Sequence, residues 1–433
     1  MARGANDRIG VGFIGYGLIG KRHVVSFQQH PDVRLVAVAE THAGRRAEAA
    51  EFIGGPVRQY ADFRRLLEDP DVDAVVISTP DHWHGLQTML ACAAGKDVYV
   101  EKPLSLFVRE GEWMLRAAQR FGRVVQVGTQ QRSGTHYQRA RDLIQGGALG
   151  QITTVRMATA RNVTPGFGSP PDGNPPPELD WNLWLGPAPW RPYNPNRGIY
   201  HFRWFWDYSG GQMTNIGQHS LDIVDWVLGT QTLRSVSSYG GRFAMQDNGE
   251  TPDTQDALFR FDRWTASFSL REAARGATPQ PGLEFCGTRG SLTISRAGFR
   301  LSADADTPEV NQIPRFTGDH PIGGPVPLPV TGEPALRTDP ITDESGSGDA
   351  QFVDHVRNFL CCIRSRAVPV SDLASSHRVA TACHLANLSL RLEHELRWDG
   401  ERRTVVDDPE AAAMLERPYR APWDREFAAL GLR

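Results

Sequence analysis

The chain has 433 residues, 40% of them hydrophobic, which is enough for a sizeable core and more than one ordinary domain holds. Its net charge of −3, without any block of like charges, gives no reason to expect a nucleic acid or a membrane as partner. The five cysteines lack the spacing of a disulfide or metal framework, and no export signal or apolar span stands out. We therefore expect a cytoplasmic protein with a small-molecule partner.

The first strand and the turn after it carry the clearest motif. An apolar run leads into residues 15–20, which read GYGLIG, and this Gly-x-Gly-x-x-Gly pattern brings a dinucleotide's pyrophosphate to a helix N-terminus. We predict cofactor contacts from Gly15, Gly17, Leu18 and Ile19. An ordinary strand-to-helix turn is the alternative.

The second predicted strand strengthens this interpretation. Val33–Ala39 is followed by Glu40, twenty residues after the last glycine, where a carboxylate accepts hydrogen bonds from an adenosine ribose. This position favours NAD. His42, Arg45 and Arg46 follow closely and could instead neutralise a 2′-phosphate, so NADP remains open.

Strand and helix patterns then divide the chain in two. Short buried strands alternate with helices up to about residue 130, which predicts a doubly wound parallel sheet in a domain of residues 1–130. Alternating segments over 152–158, 256–261, 265–270, 282–286 and 291–295 predict a large, mainly antiparallel sheet in a second α/β domain, residues 131–433. Residues 164–195 and 304–348 lack periodicity and are predicted as long surface loops. Helices are predicted near 352–363 and 375–394.

A lysine follows the predicted strand 97–100, at the carboxyl edge where open α/β sheets bind ligands. It belongs to Glu101-Lys102-Pro103, and both Glu101 and Lys102 are predicted beside the cofactor. A positively charged nicotinamide should lower the pKa of Lys102, which suits this lysine to take a proton from a substrate hydroxyl as hydride leaves the same carbon. An exposed lysine at a strand end is the alternative.

Polar segments follow two other strands of the predicted sheet. After the fourth strand, residues 78–84 read STPDHWH, and after the last, residues 128–132 read GTQQR. Cofactor contacts are predicted from Ser78, Thr79, Pro80, His82, His84 and Gln130, and a substrate contact from Arg132. No third ligand joins the two histidines at a recognisable spacing, so we predict no metal site.

A helix predicted over 214–228 carries Asn215, His219 and Asp222 at i, i+4 and i+7 of one face. The aromatic segment 201–208 (HFRWFWDY) precedes it, and dense aromatic and hydrogen-bonding groups suit a polar ring such as a carbohydrate. The alternative is an amphipathic helix whose polar stripe meets water.

Four motifs together resemble the Gfo/Idh/MocA oxidoreductase family. They are GxGxxG at 15–20, STPDH at 78–82, EKP at 101–103, and a Gly-Gly pair followed by Asn, His and Asp within 210–222. The resemblance covers essentially the whole chain. It implies an N-terminal Rossmann domain, a C-terminal α/β domain whose open sheet often serves oligomerisation, and oxidation of a sugar or cyclitol hydroxyl or reduction of its ketone.

The resemblance also implies roles for particular residues. Lys102 matches the family's catalytic lysine and His219 its catalytic histidine. Asn215 stands where many members have an aspartate, so His219 is expected to depend on Asp222 or on substrate hydroxyls. Trp184 and Tyr208, with Arg132, Asn215 and His219, are expected to hold the substrate ring, and the protein is expected to be a homodimer or homotetramer.

The resulting hypothesis is an NAD(P)-dependent sugar, glycoside or cyclitol oxidoreductase. One alternative is a glycoside hydrolase that retains NAD, oxidises C3, eliminates the aglycone, and needs an extra base such as His219, Tyr208 or Asp207. Another is a non-catalytic sensor of a sugar or dinucleotide, for which proton-transfer groups would have no use.

Overall fold

The computed structural model describes residues 8–274, 282–303 and 339–433, together with the backbone of two short paired strands, Pro314–Arg315 and Val326–Pro327. Most of the predicted loop 304–348 therefore lies outside the described residues. Two large sheets organise the fold, one of six strands and one of ten.

The first sheet is built from strands that alternate with helices. Its strands are β1 (Ile9–Ile14), β2 (Val33–Ala39), β3 (Arg58–Tyr60), β4 (Ala74–Ile77), β5 (Asp97–Val100) and β6 (Val125–Val127). Its helices are α1 (Leu18–Gln28), α2 (Ala43–Ile53), α3 (Phe63–Leu67), α4 (His84–Ala93) and α5 (Val108–Phe121). All neighbouring strands are parallel, in the order β3-β2-β1-β4-β5-β6.

This order places a crevice at the carboxyl edge of the sheet. The chain leaves β1 toward β2 on one side and later returns to β4 on the other, and ligands of doubly wound sheets bind where the order reverses. Every residue of β1 and β5 is buried, as expected for strands covered on both faces.

The second sheet is mixed but mainly antiparallel. Its strands are β7 (Ile152–Ala160), β8 (Ser235–Gly241), β9 (Thr254–Arg260), β10 (Thr265–Arg271), β11 (Gly282–Gly287), β12 (Gly290–Ser295), β13 (Gly298–Ala303), β16 (Ile341–Asp343), β17 (Leu396–Asp399) and β18 (Thr404–Val405), where β14 and β15 denote the two-residue strands named above. Among the described strand pairings of this second sheet, only β7–β10 is parallel.

Helices cover one face of this second sheet. They are α6 (Thr135–Gln145), α8 (Gln218–Leu228) and α10 (Leu373–Leu392), and their apolar side chains join those of the strands in one cluster. Along β9 burial alternates residue by residue, so its other face is exposed. Shorter helices lie elsewhere: α7 (Trp181–Leu185), α11 (Pro409–Ala413) and α12 (Trp423–Ala429).

One late helix returns to the first sheet. In α9 (Ala350–Ser365), Val356, Phe359 and Leu360 are buried against apolar side chains of the six-stranded sheet, and the ring of Phe359 lies 5.8 Å from that of Tyr99. The two halves of the sequence therefore share a core.

The predicted fold class is confirmed, with local differences. The predicted helix 214–228 begins instead as a π-helical turn, Met213–Gly217, which continues into α8. The predicted loop 164–195 contains α7, because Asp180 accepts a hydrogen bond from the backbone N–H of Leu183 and the helix packs Trp181 and Trp184 into an apolar cluster.

We predict that Phe359→Ala lowers the free energy of unfolding by about 3–5 kcal/mol, because it empties a fully buried aromatic site between α9 and the first sheet. Equilibrium urea unfolding measures this loss. The matched control is Asp354→Ala on the exposed side of the same helix, expected to change stability by about 0.5 kcal/mol or less. Equal effects of the two substitutions would contradict the packing described.

Candidate active site

A cavity of about 670 Å³ lies at the carboxyl edge of the first sheet. The residues that directly follow its strands line this cavity: Gly15 after β1, Glu40 after β2, Ser78 after β4, Glu101 after β5 and, a few residues past β6, Gln130. The fold thus brings together segments that are far apart in sequence.

The glycine turn forms one wall of the cavity. Gly15 has a positive φ of 90°, and a Cβ there would lie 2.9 Å from the backbone of Ser78. A Cβ on Gly20 would lie 2.7 Å from the carbonyl oxygen of Gly15, whereas one on Gly17 would meet nothing within 4 Å. Helix α1 begins at Leu18 without a side-chain cap, so its first-turn N–H groups are available to an anion at the cavity.

Glu40 is held rigidly at the same wall. Its Oε2 accepts from the backbone N–H of Tyr16 at 2.9 Å, and its Oε1 accepts from that of His42 at 3.0 Å. His42 and Arg45 also line the cavity, while Arg46 donates to the carbonyl of Glu40. A glycine cradle with an anchored carboxylate nearby fits the pyrophosphate and ribose of a dinucleotide.

Lys102 reaches across to the second half of the chain. Its Nζ donates to Oδ1 of Asn215 at 2.7 Å. Asn215 in turn donates through Nδ2 to Oε1 of Gln212 at 2.9 Å, and Gln212 donates through Nε2 to Oε1 of Glu272 at 2.7 Å. This chain of amides fixes the carbonyl oxygen of Asn215 toward the lysine.

The environment of Lys102 favours its neutral form. Burial lowers its pKa from the ordinary value of 10.5, and the charges of Glu101 and Asp81 oppose that change without cancelling it. Asn215 contributes a dipole rather than a full negative charge, so no carboxylate touches Nζ within the described residues.

Glu101 anchors the backbone beside this lysine. Its Oε1 accepts from Nε2 of His23 at 2.7 Å and from Nε2 of Gln130 at 2.8 Å, and its Oε2 accepts from the N–H of Lys102 at 3.1 Å. Burial disfavours its charge, but the hydrogen bond and the electrostatic attraction of His23, together with Lys102, still hold its pKa below the ordinary value.

His219 lies on the same cavity wall as a neutral imidazole. Burial, followed by the positive charges of Lys102 and Arg296, holds its pKa well below 6.5. Its Nδ1 is buried and has no hydrogen-bond partner within the described residues. Such an unpaired polar atom is costly unless a bound molecule or water satisfies the ring.

Arg132 and Asp222, expected at the substrate and beside His219, do not line the cavity. The guanidinium of Arg132 is only 2% exposed and donates to both carboxylate oxygens of Asp222, at 2.7 and 2.9 Å, with Asp225 3.7 Å away. Asn215 lies within the π-helical turn and Asp222 in α8, and the wider i→i+5 bonding of that turn breaks the expected single stripe.

Two further predictions also differ from the structure. His82 and Tyr208 are buried and do not line the cavity; they pack together with ring centroids 5.2 Å apart, and Nε2 of His82 donates to the carbonyl of Trp184. Trp184 does line the cavity and stacks on Trp181 at 4.6 Å. The ring of His82 therefore packs against Trp184 and Tyr208 behind the cavity-lining residues, and it supports the position of Trp184.

Asn215, predicted to hold the substrate ring, does not line the cavity either and contacts Lys102 from behind it, whereas the remaining predicted contacts do line the cavity. They are Gly15, Gly17, Leu18, Ile19, Glu40, Ser78, Thr79, Pro80, His84, Glu101, Lys102, Gln130, Trp184 and His219. Asp81, which belongs to the predicted segment 78–84 but was not singled out, lines the cavity as well, and so do Arg203 and Arg296, which were not predicted at the site. Arg203 lies within the aromatic segment 201–208, from which a carbohydrate site was predicted. No sequence motif marks Arg296, which lies in the turn after β12.

We predict that Asp222→Asn lowers the free energy of unfolding by about 3 kcal/mol, because it removes the closest counter-charge of a buried guanidinium. Urea unfolding measures the loss. Glu68→Gln, which breaks the exposed pair with Arg65, is the control and should leave stability unchanged. Unchanged stability with lost turnover in Asp222→Asn would instead restore a catalytic role for Asp222.

The described residues contain no group of three or more His, Cys, Asp or Glu side chains arranged to hold a metal. Among the described helices, none has both the length and the apolar character needed to cross a bilayer.

The chain is similar in sequence to inositol dehydrogenases and in fold to solved structures of sugar dehydrogenases. Myo-inositol 2-dehydrogenase of Thermotoga maritima is 30% identical over 156 residues, 36% of this chain and 46% of that protein. The NAD-dependent scyllo-inositol 2-dehydrogenase of Bacillus subtilis is 27% identical over 285 residues, 65% of this chain and 72% of that protein. Among solved structures, levoglucosan dehydrogenase in complex with NADH and levoglucosan matches 90% of this chain and 99% of its own at 21% identity, with a TM-score of 0.66, and shows the same fold.

Family models cover most of the chain. Residues 9–129 match the NAD-binding Rossmann fold of an oxidoreductase family, residues 133–239 and 349–425 match that family's C-terminal alpha/beta domain, and residues 188–293 match a second C-terminal model of the same family. The expected cofactor, NAD, is thereby confirmed. The chain belongs to the Gfo/Idh/MocA family of oxidoreductases.

Proposed function

We propose that this protein is an NAD-dependent dehydrogenase that oxidises one hydroxyl group of a sugar or cyclitol, or reduces the corresponding ketone. The observation that carries the proposal is the meeting of Lys102 and His219 at the cavity that the glycine turn and Glu40 also line. The inositol and levoglucosan dehydrogenases among its relatives support a polyhydroxylated ring as substrate.

Bound NAD supplies the hydride acceptor, and the chain supplies proton transfer and positioning. Lys102 takes the proton of the reacting hydroxyl on Nζ: the substrate O–H bond breaks and an N–H bond forms while the carbon becomes a carbonyl. Its lowered pKa makes the neutral, accepting form available nearer neutral pH. Asn215 fixes the direction of Nζ through its Oδ1 at 2.7 Å and, more weakly, through its backbone carbonyl oxygen at 3.4 Å.

His219 and Trp184 position the ring in this proposal. A neutral imidazole both accepts and donates one hydrogen bond, which suits a hydroxyl group next to the reacting carbon. Trp184 is only 6% exposed, and the part of its ring that lines the cavity, supported by the stack on Trp181, offers a contact to the apolar C–H groups of a sugar.

The hydrolase alternative has less support. Of the three bases it could use, Tyr208 and Asp207 do not line the cavity, and Asp207 is paired with Arg191 at 2.8 Å. Only His219 remains, and burial lowers its pKa well below 6.5, which makes it a weak base. A pure sensor would need neither the lysine nor the amide chain that aims it.

The experiment that tests the proposal incubates the protein with excess NAD and a panel of hexoses, sugar acids, cyclitols and aryl glycosides. Absorbance follows NADH and mass spectrometry follows the product. NADH formed in equal amount to a ketone is the expected result. Aglycone release without NADH would replace the proposal with redox-assisted glycoside cleavage, and binding without any reaction would indicate a sensor.

We predict that Lys102→Met lowers turnover by about 10²–10⁴-fold, because it removes the proton acceptor. NADH affinity, measured by fluorescence titration, should change little, since Glu40 and the glycine turn are intact. Lys21→Met is the matched control, because Lys21 pairs with Glu48 and does not line the cavity, and it should keep full turnover. Full activity in Lys102→Met would overturn the mechanism.

The pH dependence of oxidation should follow Lys102. Since the neutral amine accepts the proton, kcat/KM should rise with pH and level off above a pKa that lies below 10.5. Asn215→Asp places a carboxylate against Nζ and favours its charged form, so the rise should move to higher pH. A profile of kcat/KM against pH for both proteins measures the shift. An unmoved profile would assign the titration to another group.

A further inference from the structure

Two arginines line the cavity, and neither has a carboxylate ion-pair partner among the described residues. Arg203 comes from the 3-10 helix His201–Trp204 and Arg296 from the turn between β12 and β13. Within the part of the chain that the structure describes, neither arginine forms an ion pair. Arg22, which lines the same cavity, is by contrast paired with Asp349.

Arg203 is held in place before any ligand arrives. Its guanidinium lies over the rings of Phe202 and Tyr200, 4.7 and 5.2 Å from their centroids, and its Nη1 donates to the carbonyl oxygen of Tyr200 at 3.0 Å. A guanidinium ordered by its own protein loses little side-chain entropy on binding an anion.

Both charges act at the position where the reaction is proposed. Arg203 and Arg296 each help to lower the pKa of Lys102, and Arg296 does the same for His219. The charges of the glycine turn's neighbour Glu40 and of the arginines differ in their effects: Glu40 is not among the groups that shift the pKa of Lys102 or His219.

The two carboxylates whose charges act on Lys102 already have hydrogen-bond partners within the protein. Glu101 is held by His23 and Gln130, and Asp81 is buried, accepts a hydrogen bond from Ser209, and has a pKa raised by burial. Within the described residues neither carboxylate forms an ion pair with the two arginines, although the positive charge of Arg203 opposes the rise in the pKa of Asp81. Two guanidinium groups that have no ion-pair partner among the described residues and line one cavity attract an anion.

We propose that the substrate is an anionic sugar or cyclitol, whose carboxylate or phosphate binds Arg203 and Arg296 while its reacting hydroxyl faces Lys102. This inference rests on the proposed dehydrogenase function. It narrows the substrate class from neutral polyols to acids, and it makes Arg203 and Arg296 determinants of specificity.

The test compares matched pairs of sugars that differ only by the anion. Glucose with glucuronate, and galactose with galacturonate, test a carboxylate; glucose with glucose 6-phosphate, and myo-inositol with its monophosphate, test a phosphate. We expect kcat/KM to be at least about tenfold higher for the anion of one pair, with the preference falling as salt is added. Equal kcat/KM across all pairs would overturn the inference.

The variants Arg203→Gln and Arg296→Gln assign the preference to its residues. Each should raise KM for the anionic substrate about tenfold or more while KM for NAD stays within about twofold. Arg234→Gln is the control, because Arg234 is exposed, pairs with Asp262 and does not line the cavity. An equal rise in KM for NAD would show that the two arginines serve the cofactor, which overturns the inference.

Calorimetry separates this inference from the proposed function. Anionic and neutral sugars are titrated into the NADH-bound protein and into the double arginine variant. If no sugar is oxidised but the anion binds the natural protein at least about tenfold more tightly than the variant, the dehydrogenase proposal fails and the anion site stands. If no anion binds or reacts, the anion site is refuted.

Discussion

The hydrogen bond between Lys102 Nζ and Asn215 Oδ1 is the interaction on which the site depends. Lys102 follows a strand of the first sheet, and Asn215 lies in the π-helical turn before α8, which packs on the second sheet. Neither half of the chain contains the complete site. Hydrogen bonds from Asn215 through Gln212 to Glu272 extend this support to the residue after β10. Elements of both sheets therefore set the direction of Lys102 Nζ.

Much of the fold could be predicted because its signals are local. Buried apolar runs at β1, β2 and β5, separated by helical patterns, indicate a doubly wound sheet, and the glycines after β1 mark the turn. β8, with the sequence SVSSYGG, lacks such a pattern and becomes a strand through its neighbours β9 and β17. Pairing partners of that kind are distant in sequence and leave no local signal.

The site was predictable to a similar extent and for a similar reason. Residues that follow strands, such as Lys102 and Gln130, reach the cavity because parallel strands all end at one edge. Asp222 was misplaced because helical spacing assumes 3.6 residues per turn, and the π-helical turn changes the phase. Arg132 was misplaced because only the fold shows that two aspartates of α8 enclose it.

The return of α9 to the first sheet has a consequence for biosynthesis. The strands β1 and β5 leave the ribosome early, but the apolar face that contains Val11, Phe13 and Tyr99 is covered by Val356 and Phe359, made more than 200 residues after Tyr99. Domains usually form as soon as their chain is available. Here one apolar face of the N-terminal sheet stays exposed until α9 has been synthesised. Such exposure favours protection of the nascent chain by a chaperone.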